Sequence, residues 1–311
     1  MVYNNGKMKY GQIHGVGKSV SRLVMGTDNQ ETSTHASVMF DDFFERGGNC
    51  FDTAWIYGQG RCEKLLGQWI KNRKIREEVV ILGKGAHTPF CNPEDLTKQL
   101  IESLERLQTD YLDMYLLHRD NLEIPVAEFI NVLNEHKKAG RIHAFGGSNW
   151  SLQRVEEANQ YAHSKGLTGF SAVSNNFSLA QMIHPIWKGC VSSSDKFSRD
   201  WLTQTQLVLM AWSSQARGFF AGRAHPDNLS DEELVRCWYN ADNFERLNRV
   251  NEMAKNFNCL PINIALAYVL CQSFPTFALI GPRILSEIRT SFLGLDIELT
   301  SSDVRWLNLE V

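Results

Sequence analysis

Short apolar runs alternate along the chain with longer stretches whose apolar residues recur every three or four positions, the pattern of buried strands followed by amphipathic helices. The first run, Arg22–Thr27, is a strand that ends beside a glycine. Glu31–Arg46 reads as a helix, with Val38, Phe43 and Phe44 supplying apolar positions and Gly47-Gly48 ending it. Cys50–Asp52 is a second strand, and Cys62–Lys71 a helix with Leu65, Leu66, Trp69 and Ile70 on its apolar side. Val79–Lys84 follows as a strand, then Pro93–Leu107 as a helix with proline in its first turn. The alternation continues through strand Tyr111–Leu117, helix Pro125–Ala139 and strand Ile142–Gly147. A helix capped by Ser151 then runs to about Ala162, and strand Phe170–Ser174 follows it. Between Ile183 and Arg199 the pattern dissolves into a serine-rich loop. Strand Leu207–Trp212, helices Phe244–Phe257 and Pro261–Gln272, strand Thr276–Ile280 and a helix through Arg289 complete the series. Ahead of it, Lys9–Gly17 reads as a small hairpin.

Eight strand-like runs, most of them separated by helices, favour a closed (α/β)8 TIM barrel over an open doubly wound sheet. The expected architecture is that barrel with a short N-terminal β-hairpin and extra C-terminal helices, and no break in composition divides residues 1–311 into two domains. Hydrophobic content of 43% and charged content of 22% are those of a soluble globular protein. The net charge of −3 argues against electrostatic binding to nucleic acid or to an anionic membrane surface. Neither a signal peptide nor a membrane span is expected. Seven scattered cysteines without a Cys-x-x-Cys fit reduced thiols in a cytoplasmic protein better than a disulfide framework or a zinc site.

In such a barrel the chemistry lies at the C-terminal ends of the strands. Here those ends carry Asp52, Lys84, His118, Ser148-Asn149 and Trp212, with Tyr57 in the loop after the second strand. Singly, Lys84 reads as a solvated loop lysine and His118 as a structural histidine; ionisable groups closing successive buried strands are a more specific pattern. A phenol near its ordinary pKa of about 10 is a sluggish acid, and a nearby ammonium lowers that pKa. Asp52 would keep a buried Lys84 charged, and a neutral His118 can polarise a substrate carbonyl. The set suits protonation of an alkoxide as hydride reaches a carbonyl carbon.

These residues resemble the aldo-keto reductase family. The resemblance rests on Phe51-Asp52-Thr53-Ala54-x-x-Tyr57-Gly58, Lys84, Leu116-Leu117-His118-Arg119, Gly146-x-Ser148-Asn149, Ala211–Gly218 and Ile280-Gly281-Pro282-Arg283, and it covers almost the whole chain in order. It implies NADP(H), slightly favoured over NAD(H), bound in extended form without a Rossmann domain. It also implies a catalytic tetrad of Asp52, Tyr57, Lys84 and His118, with Tyr57 as general acid/base. Gly26, Thr27 and Asp52 would meet the cofactor; Ser148 and Asn149 would hydrogen-bond its carboxamide, and Trp212 would stack on its nicotinamide. Ser213, Ser214, Gln215, Ala216 and Gly218 would lie along the pyrophosphate. Where the family has glutamine, this chain has Ser174 followed by Asn175, either of which is a candidate for that contact. At the adenosine end, beyond Gly281, Arg283 would grip a 2′-phosphate, whereas Glu287 would repel it and accept from the ribose of NAD.

Trp55, Tyr57, His118 and Trp150 are the substrate-contact candidates. His87, Phe90, Trp187, Phe219 and Tyr239, with Arg119, Asn149 and Asn176, extend the set to a mouth suited to a sugar-like or other small carbonyl compound. Two alternatives stay open: a cofactor-binding regulatory or partner subunit with little turnover, and a sugar isomerase, which would need clustered metal ligands at the strand ends.

Overall fold

The computed structural model describes residues 6–311. An antiparallel ribbon of β1 (Tyr10–Gly11) and β2 (Val20–Ser21) precedes the barrel. The barrel then begins with β3 (Leu23–Gly26), α1 (Ser33–Glu45), β4 (Cys50–Asp52), α2 (Arg61–Arg73), β5 (Val80–Gly85) and α3 (Pro93–Leu107). It continues through β6 (Leu112–Leu117), α4 (Val126–Lys138), β7 (Ile142–Ser148), α5 (Leu152–Ser164), β8 (Ala172–Ser174), α6 (Lys196–Thr205) and β9 (Val208–Ala211). Helices α7 (Glu232–Trp238), α8 (Ala241–Phe257) and α9 (Pro261–Leu270) lead to β10 (Thr276–Ile280), and α10 (Leu285–Leu293) and α11 (Ser301–Leu307) follow. Strands β3 to β10 form a closed parallel barrel in chain order, β10 pairing with both β9 and β3.

Because side chains alternate across a strand, each barrel strand serves two cores. Val24, Cys50, Val80, Leu82, Met114, Leu116, Ala144, Ala172, Val208 and Met210 fill the interior, where Ile13, Val16 and Val20 join them. Their strand neighbours Leu23, Met25, Phe51, Ile81, Tyr115, Leu117, Phe145, Val173 and Leu209 face the helices. Gly146 has the inward parity but no room for a side chain: a Cβ there would stand 2.0 Å from Ala172 O. Continuing the inward parity by two residues past the apolar layers reaches Asp52, Lys84, His118, Ser148, Ser174 and Trp212. The candidate chemistry is therefore the top layer of the barrel core.

Three sequence expectations are corrected, and one helix without an expectation is added. The hairpin closes at Val20–Ser21, beyond Gly17, because its longer loop places Ile13 and Val16 in the barrel. Val38 faces solvent instead of the core. Helix α6 forms inside and beyond the stretch read as loop: Asp195 caps it, accepting from Ser198 N, but only Ser198 and Leu202 on it are buried, so its apolar period is faint. Helix α7 was hidden by its shortness, with Asp231 as its cap.

Asp113 ties the hairpin to the barrel. Its carboxylate is 1% exposed and receives Lys18 Nζ at 2.9 Å, an Arg76 terminal nitrogen at 3.0 Å and Ile81 N–H at 2.9 Å. Lys18 also donates to Val79 O at 2.8 Å. Among the described residues no helix is long and apolar enough to cross a membrane. Removing one partner of a buried ion pair leaves uncompensated charge, so Asp113→Asn is expected to cost about 3 kcal/mol in urea unfolding. A loss below about 1 kcal/mol would mean that the cluster is screened like a surface pair.

Candidate active site

Lys84 and Asp52 form a direct ion pair at the top of β5 and β4, with side chains 3% and 5% exposed. The same ammonium donates to Tyr57 Oη at 3.4 Å. Tyr57 is carried there by a tight turn: its N–H bonds Ala54 O at 3.0 Å, and Gly58, Gln59 and Gly60 then adopt left-handed φ values of 54°, 56° and 87°. Glycine meets that requirement at two of the three positions without steric cost. The His118 ring stands edge-on to the phenol at 5.7 Å between centroids. The strand alternation and this turn together bring Asp52, Tyr57, Lys84 and His118 to one point.

Burial dominates the electrostatics. It pushes the Tyr57 phenol up to about 12, against the pull of Lys84, with Asp52 and Asp28 adding to the rise. Lys84 pulls the phenol down as expected, but in this geometry desolvation outweighs the ammonium. Burial opposes the charge on Lys84, but the Asp52 carboxylate overcomes it and holds the ammonium up to about 12. His118 falls well below the usual histidine range, through burial first and then the charges of Lys84 and Arg119. It is neutral at physiological pH.

The four residues stand at one end of a cleft of about 1330 Å³. Gly26, Ser148, Asn149, Trp212, Ser213, Ser214, Gln215 and Gly218 line it, and Gly281, Arg283 and Glu287 reach its other end. The loop after β9 is contorted, with φ of 47° at Ser213, 46° at Ala216, 50° at Arg217 and 87° at Gly218. Such runs of left-handed residues turn N–H groups into anion-binding concavities. Ser214 Oγ anchors the loop by donating to Leu279 O at 2.8 Å. A salt bridge from Arg217 to Glu233, at 2.6 Å, ties it to α7.

Other expected residues lie elsewhere. Thr27 and Ala216 are buried beneath the cleft without lining it. Ser174 is fully buried, its hydroxyl unpartnered, and does not reach the cleft. Asn175 Nδ2 donates to Trp150 O at 2.9 Å and Ser193 Oγ at 3.1 Å, while its Oδ1 is unpartnered. Glu287 lines the far end of the cleft, and one of its oxygens accepts Arg283 N–H at 2.6 Å just ahead of α10.

Both tryptophans expected to read the substrate are corrected. Trp55 donates its indole N–H to Glu102 at 2.7 Å and lies under the Arg106 guanidinium, which holds it against α3 and out of the cleft. Trp150 is completely buried on the outer side of β7, covering Gly147, packing edge-on against Phe129 and Phe170 and donating to Arg119 O at 3.1 Å. Phe219 and Tyr239 pack on each other and on Phe244, and Phe220 lines the cleft instead. Phe90 is exposed outside it, while His87, Trp187 and Arg119 do line it. Asp28, Lys188 and Cys190 line the cleft without having been singled out from the sequence. For Asp28 the signal was its place two residues after the strand-ending Gly26; the other two sit in the aperiodic loop.

The sequence pattern of the Aldo/keto reductase family matches residues 22–308. The chain belongs to the aldo/keto reductase family. By class it is an NAD(P)-dependent oxidoreductase. It is 26% identical to the oxidoreductase YrpG of Bacillus subtilis over 97% of this chain and 95% of the relative. It is 28% identical to norsolorinic acid reductase A of Aspergillus parasiticus over 91% of this chain and 72% of that one. The crystal structure of an aldo-keto reductase from Klebsiella pneumoniae in complex with NADPH superposes with a TM-score of 0.74 at 22% identity, over 97% of this chain and 94% of that chain. The thermostable aldo-keto reductase Tm1743, in complex with the inhibitor epalrestat, gives 0.74 at 22% identity, over 98% and 100%. At these identities the structural likeness speaks for the fold. Among the described residues no group of three or more His, Cys, Asp or Glu is placed to hold a metal, so the isomerase alternative lacks its ligand set.

The neutral His118 of this aldo/keto reductase links the site to stability. Its folded pKa lies below the unfolded value of about 6.5, so the unfolded chain alone takes up that proton as pH falls. Stability is complete above about pH 6.5 and declines toward pH 5 with a contribution from this residue of up to about 1.4 kcal/mol per pH unit. In urea unfolding at several pH values, His118→Asn is expected to flatten that decline. An identical slope in both proteins would show that His118 is free to protonate in the fold.

Proposed function

We propose that this chain interconverts a small carbonyl compound and its alcohol with NADP(H), using Tyr57 as the proton donor and acceptor. The observation that carries the reading is the convergence of Tyr57, the Lys84–Asp52 pair and neutral His118 at the end of a cleft too large for a small substrate alone.

The residues present fit a nicotinamide dinucleotide. Ser148 and Asn149 face the cleft beside His118, where a carboxamide needs partners, and Trp212 offers a ring there. The left-handed Ser213–Gly218 loop suits a pyrophosphate, and Arg283 has no carboxylate within salt-bridge distance among the described residues. Arg283 is thus available to a 2′-phosphate, which supports NADP(H) over NAD(H). When bound, the reduced nicotinamide supplies the hydride.

The chain's own part is binding, orientation and proton transfer. His118, held neutral, can donate from Nε2 to the carbonyl oxygen and fix its approach; Nδ1 lies unpartnered in the wall. With its proton held to about pH 12, Tyr57 is a fully loaded acid at neutral pH and gives its proton as the oxygen becomes alkoxide. Lys84 offsets the phenolate that remains, and Asp52 keeps Lys84 charged. Alcohol oxidation runs the proton the other way. Seven free cysteines suit a reducing compartment such as the cytoplasm.

A sugar-like substrate draws less support than it did from the sequence, since beyond Tyr57 and His118 only His87 and Trp187 of the aromatic candidates line the cleft. Relatives named as aryl-alcohol dehydrogenases in Saccharomyces cerevisiae point to aromatic alcohols and aldehydes as the first compounds to try. The test is Tyr57→Phe with NADPH and a panel of aldehydes. Turnover is expected to fall by about 10²–10⁴-fold while the NADPH dissociation constant stays within about threefold. Parallel loss of both would make Tyr57 structural. NADPH binding by the unaltered chain with no turnover of any aldehyde would favour the partner-subunit alternative.

A further inference from the structure

We propose that Arg119 anchors a carboxylate carried by the substrate, so that the carbonyl compounds turned over best here are aldehyde or keto acids and their hydroxy-acid counterparts. The reaction in this statement rests on the oxidoreductase reading above; the anion site does not. Arg119 follows His118 directly, lines the catalytic end of the cleft, and is only 7% exposed. One terminal nitrogen donates to His118 O at 2.8 Å. The other meets only the Cys190 thiol at 3.7 Å, and Nε has no partner at all. No carboxylate oxygen lies within 4.0 Å of the guanidinium among the described residues.

A charge buried this deeply costs several kcal/mol unless something opposite in sign compensates it. The other comparably buried cations show how the chain deals with that cost. Lys84 pairs with Asp52, and Arg154 with Asp120. Arg246 and the half-buried Arg22 also lack a carboxylate, but neither lines the cleft, and both donate to protein oxygens in the wall. Arg119 alone of these unpaired, buried arginines opens onto space that a ligand can fill.

The cleft's own acids are spoken for or distant. Asp52 serves Lys84, Asp231 serves Arg223, and Glu233 serves Arg217. Glu287 lies at the adenosine end, and Asp28 makes no ion pair with Arg119. Lys188, exposed on the same rim and without a carboxylate partner among the described residues, adds to the local positive potential. The cofactor's phosphates do not account for Arg119, because the loop and the arginine suited to them, Ser213–Gly218 and Arg283, belong to the β9 and β10 side of the barrel. One guanidinium with a single rim lysine matches the charge and planar geometry of a carboxylate better than a dianionic phosphate, which draws several donors.

Trp187 and Trp212 line the cleft, so quenching of tryptophan fluorescence reports occupancy without turnover. With the full chain, benzoate is expected to bind about tenfold tighter, or more, than its uncharged isostere benzamide. Arg119→Met should erase that difference, and Arg119→Lys, which keeps the charge, should retain part of it. Equal binding of the two probes to the unaltered chain overturns the proposal without recourse to a variant that fails to fold. The kinetic arm compares 4-carboxybenzaldehyde with benzaldehyde in the presence of NADPH. A kcat/KM ratio of about ten or more is expected, expressed mainly in KM and collapsing toward one in Arg119→Met. Discrimination of benzoate with no turnover of either aldehyde would keep the anion site and remove the oxidoreductase reading. Turnover of both aldehydes with equal kcat/KM and equal binding of the probes would do the reverse.

Discussion

The buried ion pair between Lys84 and Asp52 is the constraint on which the rest of the site depends. An ammonium placed above a closed apolar interior would ordinarily shed its proton, because the layers of Leu82, Leu116 and Met210 beneath it offer no solvation. Asp52, delivered by the neighbouring strand β4, keeps the charge in place. Tyr57 then sits against a fixed cation, and His118, two residues above Leu116, sits near the same cation and is driven neutral by it and by burial. Burial sets the protonation of both neighbours first, and the pair of charges modulates it.

Barrel closure makes this arrangement possible. A strand in an open sheet shows alternate faces to two layers of helices; in the closed barrel one face meets only other strands, and its last residue opens onto the cleft. Three of the four catalytic candidates are simply the next inward positions after an apolar core residue. Tyr57 is the exception, and it needs the left-handed turn at Gly58, Gln59 and Gly60 to bring its phenol back over the barrel. The cofactor end follows the same economy, with Ser148 and Trp212 on inward parity and the contorted loop after Trp212 providing the polar backbone.

How much of this could be read in the sequence follows from range. Short apolar runs between helical stretches located all eight barrel strands, and the ionisable residues at their ends, because that information is local. What failed was direction beyond a strand end. Trp55 and Trp150 looked like substrate contacts by proximity to Tyr57 and Asn149. Their indole N–H groups are instead claimed by Glu102 on α3 and by Arg119 O, partners no local pattern discloses. The bond from Arg283 N to Glu287 and the burial of Ser174 and Asn175 also depend on packing that the sequence does not display. The balance between burial and Lys84 at Tyr57 was likewise invisible, since it depends on how completely the phenol is desolvated. Arg119 is the converse case: the sequence places it at the mouth, and its missing counter-charge is evident only in the fold.

The central claim is that the Lys84 ammonium acts on proton transfer and not on holding the cofactor. Lys84→Met, measured by NADPH titration and by aldehyde reduction on the same preparation, tests this most directly. The account predicts turnover lower by about 10²–10⁴-fold with the NADPH dissociation constant within about threefold of the unaltered chain. Turnover within tenfold of the original, with the protein folded and cofactor bound, would contradict it.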